Sequence, residues 1–469
     1  MKTAVIVSLV LAVGLAFATF FVRRPPPTPP SVPISWLAAL SESSIDEIRF
    51  SWGEKADDLR IVRTGPSEWV MERSAVSGGV VRWPVQAAQV RGGLRLLAEL
   101  ANAKHTDQAA MAGVQTTLIS FSMEGRPIGS MRLATKGLGG QVSAIIDAAP
   151  PRFVFVEEAL SRAFLRDGVL QWRTPLALPG VASGANRIVI ANPSSRVELV
   201  KTQGRWLVYE PIRATTSDPA MKQLIQTLGT LPISRFADDV EILDASLGLQ
   251  SPIASIQVES PLDTGAVGRR VRIERLEVGG PADVARTTLF VRASAVIQKD
   301  GVQVESAWGP LVVVIDRARL DPIAGDASVY ASKAVLRASA ADVTSIRVVD
   351  PQGGRAAYTR TIDGWFAVDG EGRPGAKLEG ERTKAVREFV ELLCGERAAE
   401  VRADDAERSE VIWTIETGVS DGPLPVVDVV RCMIEEKPRV GLRVKGVLRL
   451  YKVDEERQIE AWSRMLRNP

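Results

Sequence analysis

The sequence predicts an α+β chain: an N-terminal transmembrane helix followed by three homologous modules of mostly antiparallel strands with packed helices. Three observations predict it. An uncharged apolar run opens the chain. A tryptophan-bearing strand segment returns three times, as Glu68-Trp69-Val70, Arg205-Trp206-Leu207 and Gly364-Trp365-Phe366. Each copy follows short alternating segments and a polar turn, and precedes one amphipathic stripe of helical period.

The chain has 469 residues, of which 45% are apolar and 24% charged, a composition that supports folded domains rather than wholesale disorder. The formal net charge is +2, with arginines scattered among acids, so no clustered basic face for nucleic acid is expected.

Thr3 to Val22 carries no charge. Its 20 residues, as a helix of ~1.5 Å rise per residue, match a bilayer core of ~30 Å. Arg23-Arg24 and a proline-rich run, Pro25-Pro26-Pro27-Thr28-Pro29-Pro30, follow. The expectation is a single-pass anchor over 1–24 and a semi-rigid linker over 25–44. A signal peptide ending near Ala16-Phe17-Ala18 is the competing reading. The charges flanking the run are nearly tied, so the positive-inside rule does not orient the body. A signal-like helix before a long body favours the inner membrane with an extracytoplasmic body.

Repeat one covers 45–183. Ile45, Ile48 and Phe50 open it, Leu59 to Arg63 alternates as a half-buried strand, and Gly65-Pro66-Ser67 turns into Trp69. Trp83-Pro84-Val85 links to a helix whose stripe is Val90, Leu94, Leu97 and Ala101. Gly92-Gly93 weakens that helix by ~1 kcal/mol per glycine. Strands from Thr117 to Ile146, then Arg152 to Val156, run into a short closing helix.

Repeat two covers 184–341 and repeat three 342–469. Their helix stripes are Met221, Leu224, Leu228 and Leu231, and Val386, Phe389, Val390 and Leu393. From first-strand isoleucine to tryptophan, Ile48–Trp69, Ile188–Trp206 and Ile346–Trp365 span 21, 18 and 19 residues. Even the exits correspond, Trp172-Arg173-Thr174 against Tyr330-Ala331-Ser332. Units of this size each bury their own core, unlike a solenoid of ~20–50-residue repeats. The helix after each tryptophan strand packs on a sheet face or makes a local crossover between parallel strands.

Chemistry-bearing residues are sparse. His105 is the single histidine, with no nucleophile motif beside it. Asp238-Asp239 and Asp404-Asp405 are candidate divalent-metal pairs, but no third ligand accompanies them, and their recurrence at one boundary favours a turn or capping role. Cys394 and Cys432 form no CxxC motif; two buried thiols or one disulfide both remain open. The tryptophans read as core packing rather than a ligand groove. No catalytic, cofactor or metal residue set is assigned, and a non-enzymatic chain is expected.

The order of segments in repeat two is the most specific feature. Trp206, the link Glu210-Pro211-Ile212, the helix, Arg235-Phe236-Ala237-Asp238 and Leu247-Gly248-Leu249-Gln250-Ser251-Pro252 follow one another. This resembles the bacterial family called domain of unknown function 4340. The resemblance implies a membrane-tethered protein, with an ABC-type transporter permease or another envelope protein as partner, and it supplies no catalytic residues. The expected function is a membrane-anchored extracytoplasmic scaffold or interaction protein. The alternative is a cell-envelope ligand-binding or hydrolytic protein using a cleft between modules.

Overall fold

The structure is a computed structural model. It describes residues 34–53, 59–74, 80–103, 115–137, 139–181, 184–238, 245–262, 270–323, 326–369, 371–404, 409–420 and 422–467. Among the described residues the protein is mostly β, at 49% strand and 22% helix, with three large antiparallel sheets, which corrects the α+β class. The reason lies after the crossing helix, where the sequence reads as brief apolar runs. The strands there are long: β15 (Arg270–Pro281) and β16 (Thr288–Lys299) have 12 residues each, and β17 (Val302–Asp316) has 15.

The first sheet holds β1 (Glu47–Trp52), β2 (Leu59–Arg63), β3 (Trp69–Ser74), β4 (Val80–Val85), β5 (Thr116–Met123), β6 (Arg126–Ala134), β7 (Gln141–Ile146) and β8 (Arg152–Glu157). Their spatial order is β4-β3-β2-β1-β5-β6-β7-β8, and neighbours are antiparallel. Four antiparallel steps separate β4 from β5, so the two run the same way. The Ala87–Glu99 helix therefore carries the chain between parallel strands, from one edge back to the middle.

The second sheet repeats this plan. It holds β9 (Arg187–Asn192), β10 (Ser195–Thr202), β11 (Arg205–Glu210), β12 (Ala214–Thr215), β13 (Arg235–Phe236), β14 (Ala254–Pro261) and the three long strands. The order is β12-β11-β10-β9-β14-β15-β16-β17-β13. The third holds β18 (Val343–Val349), β19 (Arg355–Thr361), β20 (Gly364–Val368), β21 (Pro374–Lys377), β22 (Glu400–Ala403), β23 (Ser409–Val419), β24 (Gly422–Pro423), β25 (Val427–Ile434), β26 (Lys437–Val444) and β27 (Val447–Leu450). Its order is β21-β20-β19-β18-β23-β25-β26-β27-β22, with β24 on β23. Crossing helices Asp218–Gly229 and Gly380–Cys394 take the place of the first.

Each sheet draws its strands from one repeat. The chain itself divides into two compact units, with the boundary between Thr174 and Pro175. Modules two and three share the second unit.

The helix stripes face the cores. Val90, Leu94, Leu97 and Ala101 are buried, as are the four stripe residues of each later helix. Burying one such side chain contributes about 1.5–3 kcal/mol. Gly93 has a packing reason: a Cβ there would stand 2.6 Å from a ring carbon of Trp172, which lies against this helix. The opposite sheet face carries charge in register. Arg60 of β2 bonds Glu47 of β1 at 2.7 Å and meets Glu72 of β3 at 3.4 Å, and Arg82 of β4 meets Glu72 at 3.0 Å. In the second sheet Arg187 holds Glu198 at 2.8 Å and also pairs with Glu259.

Two boundaries change. Residues 34–44 belong to module one rather than to a linker: Leu37 in the Ser35–Ala38 helix is fully buried, and Trp36 Nε1–H donates to the Asp147 carbonyl at 2.9 Å. Trp83-Pro84-Val85 is strand β4, not a link, so Glu210-Pro211-Ile212 is not its counterpart. The tryptophan register shows this, because Val85 lies opposite Trp69, whereas Thr216 Oγ1–H reaches the Trp206 carbonyl at 2.9 Å.

The anchor expected over Thr3–Val22 lies outside the described residues. Among the described residues no helix is long and apolar enough to cross a membrane. The longest, Gly380–Cys394 and Val453–Arg467, have 15 residues each, ~22 Å, and both are amphipathic. Among these residues the expected transmembrane signal anchor and single-pass inner-membrane location find no support.

Candidate functional site

The sequence-derived candidates separate on inspection of their surroundings. Asp404 Oδ2 pairs with Arg443 Nη1 at 2.8 Å, with the aspartate side chain only 2% exposed. Arg443 also holds Asp428 at 3.0 Å. Asp404, just after edge strand β22, is thus the buried anchor of an ion-pair network that reaches Arg443 on β26 and Asp428 on β25. Asp238 is exposed after β13, and Asp239, Asp405 and His105 lie outside the described residues. Among the described residues no group of three His, Cys, Asp or Glu side chains is placed to hold a metal ion.

Cys394 and Cys432 are free thiols, not a disulfide. Burial pushes both thiols up, Cys394 to about 11, with Asp342 reinforcing the shift. Of the three tryptophans, Trp69 and Trp365 are buried, at 1% and 6% exposure, while Trp206 is half-buried. The expectation of one shared core position therefore holds for two copies. A basic residue faces the tryptophan across the preceding hairpin every time: Arg63, Lys201 and Arg360. Arg63 caps the carbonyls of Glu42 and Ser43, and Arg360 caps those of Ala340 and Ala341. Each arginine thus fastens its tryptophan hairpin to the chain entering the module.

Backbone bonds reveal a feature with no side-chain signature. Every module receives incoming chain near the end of its crossing helix, where the last carbonyls lack intrahelical partners. Ile34 N–H donates to the Ala101 carbonyl at 3.4 Å, Ala177 N–H to Leu231 at 2.9 Å, and Val335 N–H to Leu393 at 3.0 Å. Leu336 N–H adds a second bond to Leu393, at 2.8 Å. We call these extended segments straps. The strap of module two, from Pro175, buries Ala177, Leu178 and Val181.

Glu274 holds that strap. It stands on β15, where burial takes all but 2% of its surface. Its Oε1 and Oε2 accept from Gly180 N–H at 2.9 and 3.0 Å, and Ser260 Oγ–H donates to the Gly180 carbonyl at 3.4 Å. A Cβ on Gly180 would lie 2.8 Å from Glu274 Oε1, so a larger residue there would have to displace the carboxylate. The residues flanking Glu274 across the sheet, Val258 and Ala295, are apolar. Burial raises the carboxyl to about 7, opposed by the Gly180 amide and by Arg272 two residues along the strand. The alternating pattern of β15 reads as a half-solvated strand, so the sequence offers no sign of this glutamate's burial.

A second buried polar pair lies in module three. Arg449 is 4% exposed, its Nε and Nη1 are buried without a hydrogen-bond partner, and burial lowers its pKa. Tyr451 Oη is buried and unpartnered as well, and burial raises its pKa. Nearby, Glu396 accepts from Ser332 Oγ–H at 2.8 Å and from Lys333 N–H, tying the outgoing strap of module two to module three.

The segment that carried the family resemblance has a packing role. Gly248 adopts φ +68°, and a Cβ there would lie 2.8 Å from the Gly280 nitrogen of β15. Leu247 and Leu249 on either side are buried with Ala237 and Val312. No family model matches the chain, and no curated protein matches it.

Proposed function

We propose that this chain is a non-enzymatic interaction scaffold that presents three copies of one antiparallel β module. The observation that carries the reading is the recurrence of the strap. The same backbone donor-to-carbonyl bond is made at the same place in modules one, two and three, although the residues making it differ. Bonds repeated through the main chain, between apolar residues that carry no reactive group, favour a selected mode of joining modules over a selected chemistry. The one acidic candidate with a buried side chain, Asp404, is committed to Arg443.

An ABC-type transport component is the partner class that the resemblance adds. Chemical crosslinking in the cells of origin, followed by affinity recovery of this chain and mass spectrometry, tests both statements. A reproducible crosslinked partner supports the scaffold reading, and an ABC-type subunit among the partners supports the narrower one. Recovery of this chain free of reproducible crosslinks sinks both.

A further inference from the structure

The straps leaving modules one and two also pair with an edge of the module they leave. In module one, Thr174 N–H donates to the Pro84 carbonyl and Gln86 N–H to the Trp172 carbonyl, both at 2.9 Å. In module two, Ser332 N–H donates to the Thr215 carbonyl at 2.7 Å and Ser217 N–H to the Tyr330 carbonyl at 2.8 Å. The residues between them form matching bridges, Val85 with Arg173 and Thr216 with Ala331. Each strap thus adds a short strand to the sheet beside the fourth strand, just before the crossing helix.

The tryptophan strand fixes the corresponding place in module three. Leu378 N–H donates to the Trp365 carbonyl at 2.8 Å, so Leu378 stands where Val85 and Thr216 stand. Lys377 then corresponds to Pro84 and Thr215, and Glu379 to Gln86 and Ser217. In an antiparallel strand successive residues turn their N–H and C=O to opposite sides. With Leu378 turned inward, the Lys377 carbonyl and the Glu379 N–H turn outward. Among the described residues β21 is the outermost strand at this end of its sheet. All four of its residues are exposed, and so is Glu379. Their counterparts Pro84, Gln86, Thr215 and Ser217 are half-buried under straps.

We infer that this edge of module three is a docking site for an extended strand of a partner polypeptide. The occupant is of the strap type: a short strand with Thr or Ser two places after the residue whose carbonyl accepts from Glu379 N–H. The Thr or Ser N–H donates to the Lys377 carbonyl. Main-chain bonds hold such a strand, and an open edge beside a buried Leu378 is the template for it. The two sibling modules argue for this occupant, because each covers the same edge with such a segment. The inference rests on the scaffold reading and names the chemistry of one partner.

The test uses the full chain and a labelled, end-capped peptide copying Ser328–Val335. Fluorescence anisotropy reads binding, and hydrogen exchange reads the Glu379 amide. Saturable binding below about 1 mM is expected, weakened about tenfold when the nitrogen of the Ser332 position is methylated. Exchange at Glu379 slows on binding. The inference is overturned by absent binding, by equal binding of the N-methylated or a scrambled peptide, or by protection that falls on Ser217 instead, which would mean exchange with the chain's own strap. Failure of the peptide leaves the crosslinking result standing, so the two readings are decided separately.

Discussion

Replacing Glu274 by glutamine tests whether a buried carboxylate sets the pH response of the strap in module two. Burial raises this carboxyl from 4.5 to about 7. The folded-state value lies above the unfolded one. Between pH 4.5 and 7 the folded chain holds a proton that the unfolded chain has released. Stability therefore falls as pH rises through that window, and the full cost of the buried charge is present above it. At 1.36 kcal/mol per unit, the shift corresponds to about 3 kcal/mol. Glutamine keeps an oxygen to accept from Gly180 N–H and never ionises. Its amide nitrogen adds a constant offset of about 1–3 kcal/mol if it stays unpaired, and that offset does not vary with pH.

The measurable quantity is the difference between the two proteins. Urea unfolding of each at pH 5, 6, 7 and 8.5 gives a stability difference at every pH, in which all shared titrations cancel. Relative to wild type, E274Q gains about 2.5 kcal/mol between pH 5 and pH 8.5, with most of the gain between pH 5 and 7. Corrected for base-catalysed intrinsic exchange, protection of the Gly180 N–H in wild type should fall over the same range and stay constant in the variant. A stability difference constant to within about 0.5 kcal/mol across this range would show that Glu274 is solvated or paired, and the reasoning would be refuted.

Three further outcomes follow from burial and pairing. Trp69→Ala costs about 3–5 kcal/mol, and Trp206→Ala less than half as much, because Trp206 is half-buried; chemical denaturation compares them. Asp404→Ala removes one of two carboxylate partners of Arg443 and costs about 3 kcal/mol, while calorimetric titration with calcium or magnesium gives no binding heat in either protein. Arg449→Met replaces a buried cation whose Nε and Nη1 make no hydrogen bond, and raises stability by about 1–4 kcal/mol, read as a higher melting temperature.

What the sequence made legible is what side chains report. The helix stripes appear because a buried face repeats every three to four residues, and all twelve stripe residues are buried. The tryptophan hairpin appears because a turn and a large apolar residue recur together. The strap is written differently. Ala177 and Val335 make their bonds through backbone N–H groups, which every residue but proline carries, so no residue type marks the contact. Only the corresponding exits Trp172-Arg173-Thr174 and Tyr330-Ala331-Ser332 hinted at it. Glu274 was hidden for a different reason. Arg272-Ile273-Glu274-Arg275 has the polar content of a solvated strand, and burial depends on Gly180, which is 94 residues away and presses against it. Edge exposure has the same non-local origin. Pro374 and Lys377 are residue types that edge strands favour, but only the sheet order places Pro374-Gly375-Ala376-Lys377 outermost. The tryptophan that first marks the repeats resolves this as well. By fixing which residue lies opposite it in each module, it identifies Lys377 and Glu379 as the two positions that the siblings keep covered and that no described residue of module three covers.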